Sequence, residues 1–506
     1  MSSIQEQDSV EESKQVTPAS KMPDTYLILF FVALFAFALT YIVTPGSFET
    51  VEQVSSDGKV RQVIDPDSFS YADEKEAGLP LFAAGGEMGF LNLPFEGMVS
   101  GSKWGASIGV FAFILITGGA FGIIMSTGAI HRGLMRLIAK SQKLEILAVP
   151  VLFFAFSLGG AVFGMGEEVI PFVLIIVPVF LAMGYDSITA LVVSYVATQI
   201  GFACSWMNPF SVSVAQGIAG LPLLSGSGFR MALWVVFTLL GATFATIYAL
   251  RIKRNPERSL TFAQDQSNRP EKVNLGEEAK HLGLGDWFIL LVLTAGIGWM
   301  IWGVTTQGYY LPEIASQFFT MGLAAAIVGI IFRLDGMTAN SAIEAFRHGA
   351  GQLLPAALVV AFAKGIVLVL GGDGAETPSV LNTILNSASQ ALAGLPETLA
   401  ASCMFLFQSI FNFFVTSGSG QAALTMPIMA PLSDLLGVSR QVAVLAFQLG
   451  DGLTNILVPT SAALMGCLGA AKVDWGTWIR FIAKPMLVVF ILSFLTMVLA
   501  VVLNFN

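Results

Sequence analysis

The chain has 506 residues, 55% of them hydrophobic and only 12% charged, with a mean hydropathy of +0.75. A soluble domain carries about 25% charged residues, so this composition excludes an ordinary water-soluble enzyme and describes a chain whose outer surface meets lipid. The formal net charge of −9 arises largely in Ser2–Glu12 and Glu49–Glu76, read as solvated segments, and no basic patch suggests a nucleic-acid partner.

In chain order, the polar tail 1–22 precedes the first apolar stretch without a small-residue cleavage pattern, so Tyr26–Val43 reads as a retained helix rather than a signal peptide. Spanning a bilayer core takes about 20 helical residues, and clusters of Lys and Arg near span ends mark the cytoplasmic side. With the tail inside, Tyr26–Val43 leaves, 44–103 forms an external loop, and Ser107–Met125 returns to Arg132, Arg136, Lys140 and Lys143. A hairpin, 144–183, then leaves and returns, Ile188–Gly217 goes out, and Met231–Leu250 comes back to Arg251, Lys253 and Arg254. These spans make a first membrane repeat, 23–250. The polar stretch 251–285 is read as a cytoplasmic linker, and 286–316 as a linking transmembrane helix. In a second repeat, 317–506, Phe318–Phe332 enters, Leu353–Leu370 leaves, and a hairpin, 399–436, dips in from outside. Val442–Gly469 then returns to the Lys472–Lys484 cluster, and Ile482–Leu503 leaves an external C-terminus. The expected fold is an all-α, multi-pass membrane protein.

An internal repeat organises these spans. The first half carries Phe163-Gly-Met-Gly-Glu-Glu168, Pro178, Gly184, Gln199-Ile-Gly201 and Pro209-Phe-Ser211. About 250 residues later the second carries Thr416-Ser-Gly-Ser-Gly-Gln421, Pro431, Gly437, Gln448-Leu-Gly450 and Pro459-Thr-Ser461, in the same order. The crossing count gives the two copies opposite orientations. Inverted repeats with interrupted helices place a substrate site near the bilayer midplane, where the copies face each other. That architecture suits a secondary transporter better than a static pore.

Each repeat therefore offers a hairpin tip and a helix break. Gly permits the tight reversal, and Pro frees carbonyls that a cation can use. Glu167 and Glu168 begin the second leg of the first hairpin, and Asp451 lies mid-span between Gly450 and Gly452. Ionisable groups inside membrane segments are functional candidates, although a carboxylate at a helix start also serves as a cap. Ser205, Asn208, Ser417, Ser419, Gln421, Thr454, Asn455 and Thr460 add neutral polar groups for substrate or Na⁺. A Na⁺ position is expected near Gly164, Asn208, Ser417 and Asn455. Lys364 is expected to form a buried ion pair or to bind a carboxylate, and Trp206 and Phe210 to pack as aromatics or wall the site. Cys204, Cys403 and Cys467 fall in apolar segments without paired spacing, and His131, His281 and His348 are assigned to polar connectors. No disulfide framework, metal cluster or cofactor is expected. Gly418-Ser419-Gly420 suggests a serine nucleophile only superficially, because no apolar span supplies a histidine base. An enzyme and a channel are both disfavoured, the latter for want of a continuous polar stripe.

With the Gly-Met-Gly-Glu-Glu tip, the Gln-Ile-Gly-Phe-Ala-Cys-Ser-Trp-Met-Asn-Pro break and the Thr-Ser-Gly-Ser-Gly-Gln tip in place, the chain from Met22 onward resembles the YfcC family. That family is grouped with the four-carbon-dicarboxylate anaerobic carrier-like proteins of the ion transporter superfamily. The resemblance implies a homodimeric elevator carrier in the bacterial inner membrane, with a scaffold domain and a transport domain holding both hairpins. It also implies basic amino acids as substrates, with arginine/ornithine exchange among the activities. The superfamily's sodium/dicarboxylate symporters carry Ser-Asn-Thr at both tips, a signature missing here. Carboxylates near a site repel a dianion and attract a cation, so the residues favour a cationic or zwitterionic amino acid, moved by exchange or with Na⁺ or H⁺ as coupling ion. The alternative is a carrier of four-carbon dicarboxylates or other small carboxylates, with Glu168 and Asp451 serving the ion and Lys364 and helix N-termini the anion.

Overall fold

The computed structural model describes residues 25–54, 60–72, 78–103, 106–130, 132–133, 136, 144–208, 210–268, 282–309, 311–372, 374–392 and 394–506. The tail 1–22, His131, Lys140, Lys143, Pro209 and His281 lie outside the described residues. The first half contains α1 (Thr25–Ile42), strands β1 (Gly46–Ser47), β2 (Thr50–Val54), β3 (Val60–Ile64) and β4 (Ser70–Tyr71), then α2 (Leu93–Val99) and α3 (Ala106–Ser126). It continues with α4 (Leu144–Phe163), α5 (Ile170–Ala182), α6 (Ser187–Ala203), α7 (Val212–Ile218), α8 (Ser227–Arg254) and α9 (Phe262–Asn268). The second half contains α10 (Leu284–Trp302), α11 (Leu311–Ile331), α12 (Ala339–Val369), α13 (Val380–Leu392), α14 (Glu397–Phe411), α15 (Gly418–Leu435), α16 (Arg440–Thr454), α17 (Ala462–Ala471) and α18 (Trp475–Val502).

Among the described residues, α3, α8, α11, α12 and α18 are long and apolar enough to cross a membrane. Their backbone groups are paired within the helix, as an apolar surround demands. Polar side chains start the helices cleanly: Asp186, Thr338, Ser439, Ser461 and Asp474 each accept from a backbone N–H in the first turn. Gly184 and Gly437, repeat-related in the sequence, both end a hairpin leg with left-handed backbone, φ +85° and +71°, the conformation that glycine adopts without strain.

The helices sort into two groups. In one, α3 and α12 pack antiparallel along a small-residue seam, with Gly118 against Gly349 and Gly122 against Ala345; α1, α2 and α11 pack on this pair, and α10 on α11. In the other, α4 crosses α6, α14 crosses α16, and the two interrupted helices α6 and α16 lie side by side. The repeated Gln-x-Gly motif now has a steric reason. Gly201 presses on the Ser157 carbonyl of α4, and Gly450 presses on Gln408 and Ser409 of α14. The groups meet chiefly where α17 lies on α12 and α5 on α3.

Several details differ from the sequence reading. The chain is not wholly helical, since β1 pairs with β4 and β2 with β3 in the loop 44–103. The stretch Glu49–Glu76 is also not simply solvated, since Ile64 is buried in it; to either side Phe48, Phe90 and Leu93 are buried and Gly97 packs on the Ala361 carbonyl. His348 sits inside α12 rather than in a connector, because that helix begins well before the apolar stretch. Cys204 and Cys467 are buried, but Cys403 is only half-buried.

The segment after α8 is partly docked. Ser259, Thr261 and Asp265 are buried. Asp265 accepts from the Ser187 N–H at 3.1 Å, the Ser187 hydroxyl at 2.5 Å and the Thr261 hydroxyl at 2.7 Å. Asp186 accepts from Tyr248 and Ser259, each at 2.7 Å. Burial pushes the Asp265 carboxyl above the usual carboxylate range, with the hydroxyls of Ser187 and Thr261 pulling the other way. On the remaining connectors, Arg132 ties Asp286 and Asp335 together, each at 2.7 Å.

A Cβ on Gly201 would lie 1.8 Å from the Ser157 oxygen, whereas one on Gly228 would meet nothing within 4 Å. Gly201→Ala is therefore expected to lower the thermal midpoint in detergent, at a cost of about 1–3 kcal/mol or more. Gly228→Ala is expected to be neutral or stabilising by at most about 1 kcal/mol. Asp265→Ala strands three donors and should cost about 1–3 kcal/mol locally, read as faster trypsin cleavage after Arg254 and Arg258.

Candidate functional site

A cavity of about 490 Å³ lies between the two helix groups. The α3 and α12 wall contributes Ser107, Val110, Val360, Ala363, Lys364 and Val367. The opposite wall combines Gly164, Gly166, Glu167 and Glu168 of the first tip with Thr416, Ser417, Gly418, Ser419 and Gly420 of the second. Gln199, Phe202 and Phe210 join from the first broken helix, and Asn455, Thr460 and Ser461 from the second. The tips and breaks of both halves thus converge on one space.

The first tip is held by its own short-range bonds. Gly164 has φ +70°, and a Cβ there would lie 2.3 Å from Asn208 Oδ1, so the tip packs directly on the break. Glu168 is buried and its Oε2 accepts from the Gly166 N–H at 2.7 Å, while Glu167 is half-buried. Between α6 and α7, Ser205 Oγ donates to the Ala161 carbonyl at 2.6 Å and accepts from the Asn208 N–H at 2.8 Å. Asn208 Oδ1 accepts from the Phe210 N–H at 2.8 Å, but its Nδ2 has no partner among the described residues.

In the second half, Ser417 caps α15 by accepting from the Gly420 N–H at 3.4 Å. Thr460 Oγ1 donates to the Phe413 carbonyl at 2.7 Å, joining the break to the hairpin. The carbonyls exposed between α16 and α17 are satisfied by side chains. Tyr195 donates to Asn455 O at 2.7 Å, Trp478 to Ile456 O and Trp475 to Leu457 O, each at 2.9 Å. Reciprocally, Gln448 Nε2 donates to the Ser205 carbonyl at 2.8 Å. Asp451 is fully buried; its Oδ1 accepts from Asn455 Nδ2 at 3.0 Å, and Asn455 Oδ1 accepts from Asn412 Nδ2 at 2.9 Å. Asp451 Oδ2 has no partner among the described residues and lies 2.9 Å from where a Cβ on Gly418 would stand, just behind the α15 N-terminus.

Of the residues singled out from the sequence, Glu167, Glu168, Ser417, Ser419, Asn455 and Thr460 line the cavity. Ser205, Asn208, Gln421, Asp451 and Thr454 lie behind the lining. Gln421 is a tie within its hairpin, donating to Gln408 O at 2.9 Å and Oε1 at 2.7 Å. The two aromatics divide: Phe210 lines the cavity, whereas Trp206 packs edge-on against Trp234 at 5.0 Å. Sequence reasoning passed over Ser107, Tyr195, Gln199, Arg230 and Asn412. Arg230 is fully buried on α8 and donates to Gln448 Oε1 at 2.7 Å, Gln441 Oε1 at 2.9 Å and Ser225 O at 2.9 Å. It lies near a span end, where an arginine in the sequence reads as an interfacial anchor. Gln199 carries a signal as the first residue of a repeated motif, although spacing alone does not show that its amide oxygen is left unpartnered.

Residues 22–502 match the family model described as C4-dicarboxylate anaerobic carrier. The chain is 50% identical over 508 residues to an Escherichia coli (strain K12) protein named "Putative basic amino acid antiporter YfcC", covering 98% of this chain and 100% of that one. It is 29% identical over 496 residues to an uncharacterized protein of Haemophilus influenzae, covering 92% and 94% of the two chains. Among solved structures, the Alcanivorax borkumensis YdaH transporter aligns at 15% identity with a TM-score of 0.41, covering 95% of this chain and 99% of that one. Neisseria gonorrhoeae MtrF, described with a class of antimetabolite efflux pumps, aligns at 16% identity with a TM-score of 0.38, covering 95% of each chain. On the match along nearly its whole length, this multi-pass membrane protein belongs to the C4-dicarboxylate anaerobic carrier family of secondary transporters.

Proposed function

We propose that the chain is a carrier of basic amino acids in the bacterial inner membrane, working by exchange or by Na⁺ or H⁺ coupling, as a homodimer with elevator-type movement. The observation that carries the substrate class is the pair Glu167 and Glu168 on the cavity wall. Two carboxylates at one tip favour a cation by Coulomb attraction in a site of low dielectric. Ser417, Ser419, Thr460 and the start of α15 provide polar groups for the carboxylate of the same zwitterion, with Lys364 across the cavity as a counter-charge. The name of the E. coli relative agrees with this class.

The elevator reading draws on the two groups of helices. Beside the cavity above, a second one of about 640 Å³ flanks the same interface further along α3 and α12, lined by Gly118, Met125, Glu344, His348 and Lys472. Openings at both ends of one sliding seam suit alternating access, and the antiparallel pairs α3/α12 and α6/α16 suit inverted repeats. By the charge-based topology the site is on the outward side in this conformation. Asp451 is the coupling-ion residue in this scheme, since a buried carboxylate oxygen needs a proton of its own or a cation. A dicarboxylate cargo has one observation in its favour, Lys364 on the cavity wall, together with the family description.

Uptake into proteoliposomes decides between these cargoes. Arginine, lysine and ornithine should be taken up or exchanged, while malate and succinate should not; the reverse pattern would overturn the amino acid reading. Glu168→Gln should lower basic amino acid uptake at least roughly tenfold, the size of a lost charge-assisted contact. Asp451→Asn keeps the side-chain volume and should abolish the response to a Na⁺ or pH gradient. An unaltered gradient response in Asp451→Asn assigns coupling elsewhere.

A further inference from the structure

We propose that Gln199 contacts the transported solute and sets which solutes the cavity accepts, its amide oxygen pairing with the N–H-bearing end of a basic amino acid. This deepens the amino acid reading above and rests on it.

Gln199 and Gln448 hold the same place in the two Gln-x-Gly motifs, so the architecture gives them equivalent positions on the two interrupted helices. Their surroundings are not equivalent. Gln448 is used by the fold at both ends of its amide, accepting from Arg230 Nε at 2.7 Å and donating to the Ser205 carbonyl at 2.8 Å. Gln199 is 2% exposed, lines the cavity, and its Oε1 has no hydrogen-bond partner among the described residues. Leaving a buried amide oxygen without a donor is costly, and an apolar residue of similar size would remove the cost. Its neighbour by two positions, Gly201, is fixed against α4, so the glutamine cannot be moved away from the cavity by a small helix shift.

A second group on the opposite wall has the same need. Ser107 on α3 is 1% exposed, lines the cavity, and its Oγ has no partner among the described residues. An amide oxygen is an acceptor, and a guanidinium or ammonium carries several N–H donors. A dicarboxylate dianion carries none and would meet Gln199 Oε1 with another acceptor. With the amide in this orientation the unused acceptor favours a donor-bearing solute, and Gln199→Glu, which leaves only acceptors, tests that orientation.

The test compares saturation kinetics in proteoliposomes for wild type, Gln199→Leu and Gln199→Glu, with arginine, ornithine, malate and succinate as solutes. Gln199→Leu should raise the half-saturation concentration for arginine roughly tenfold or more, with a maximal rate changed much less. Its thermal midpoint in detergent should match or exceed that of wild type, because the fold does not use this amide. Gln448→Leu, by contrast, should lower the midpoint. If Gln199→Leu leaves the arginine half-saturation within about twofold of wild type, the contact is overturned. Should Gln199→Leu fail to fold, Gln199→Glu decides. It keeps an acceptor and should bind arginine as well as wild type or better, and a tenfold or greater loss there overturns the proposal. Wild-type uptake of malate or succinate without basic amino acids overturns the reading on which the proposal rests. An unaltered Gln199→Leu beside normal wild-type arginine uptake overturns the Gln199 contact alone.

Discussion

A helix interrupted inside an apolar layer strands carbonyl groups that lipid cannot satisfy. In this molecule each interrupted helix answers for the other. Gln448 of α16 donates to the carbonyl of Ser205 beyond the end of α6, and Tyr195 of α6 donates to the carbonyl of Asn455 beyond the end of α16. Trp475 and Trp478 complete the second break from α18. The rest of the site depends on this exchange. It fixes the two breaks beside each other, and the hairpin tips follow because Gly164 rests on Asn208 and Thr460 bonds to Phe413.

The two halves are alike in frame and unlike in chemistry. Both use a hairpin, a Gln-x-Gly crossing and a broken helix, yet one tip is acidic and the other is a hydroxyl-bearing helix start. A cavity built from one copy of each has a polarity along its length, which a symmetric pair would lack. A molecule with a positive and a negative end fits such a space in one orientation. Lys364 on the facing wall adds a charge from outside the repeat-related tips and breaks.

Much of this frame is legible in the sequence because membrane physics leaves few options. Apolar runs must be helices, and ordered Gly and Pro landmarks mark where helices stop. What could not be read was which polar groups the protein consumes internally. Gln421, Ser205 and Asn208 look like ligands by type and position; spacing does not reveal their bonds to Gln408, Ala161 and Phe210, made across or within folded turns, which still leave Gln421 Oε1 and Asn208 Nδ2 without partners among the described residues. Gln199 and Ser107 present the opposite case: ordinary helix residues by sequence, left unpartnered by the packing. Likewise the stretch Glu49–Glu76 reads as solvated because its charges are plain, while Ile64 within it and Phe48 just before it are buried.

Two of the connections between the helix groups are held by specific bonds. From α8 towards α10 the chain is moored at Ser259–Asp265 by the bonds of Asp186 and Asp265. From α12 to α13 the passage is short: Ser379 exchanges backbone bonds with Gly46, Phe48 bonds to Ala375, and Asn382 gathers the carbonyls of Gly374, Ala375 and Thr377. Any travel of one group past the other must bend this stapled corner or turn about it, with Gly371 and Gly372, at φ +98° and +87°, as its joint.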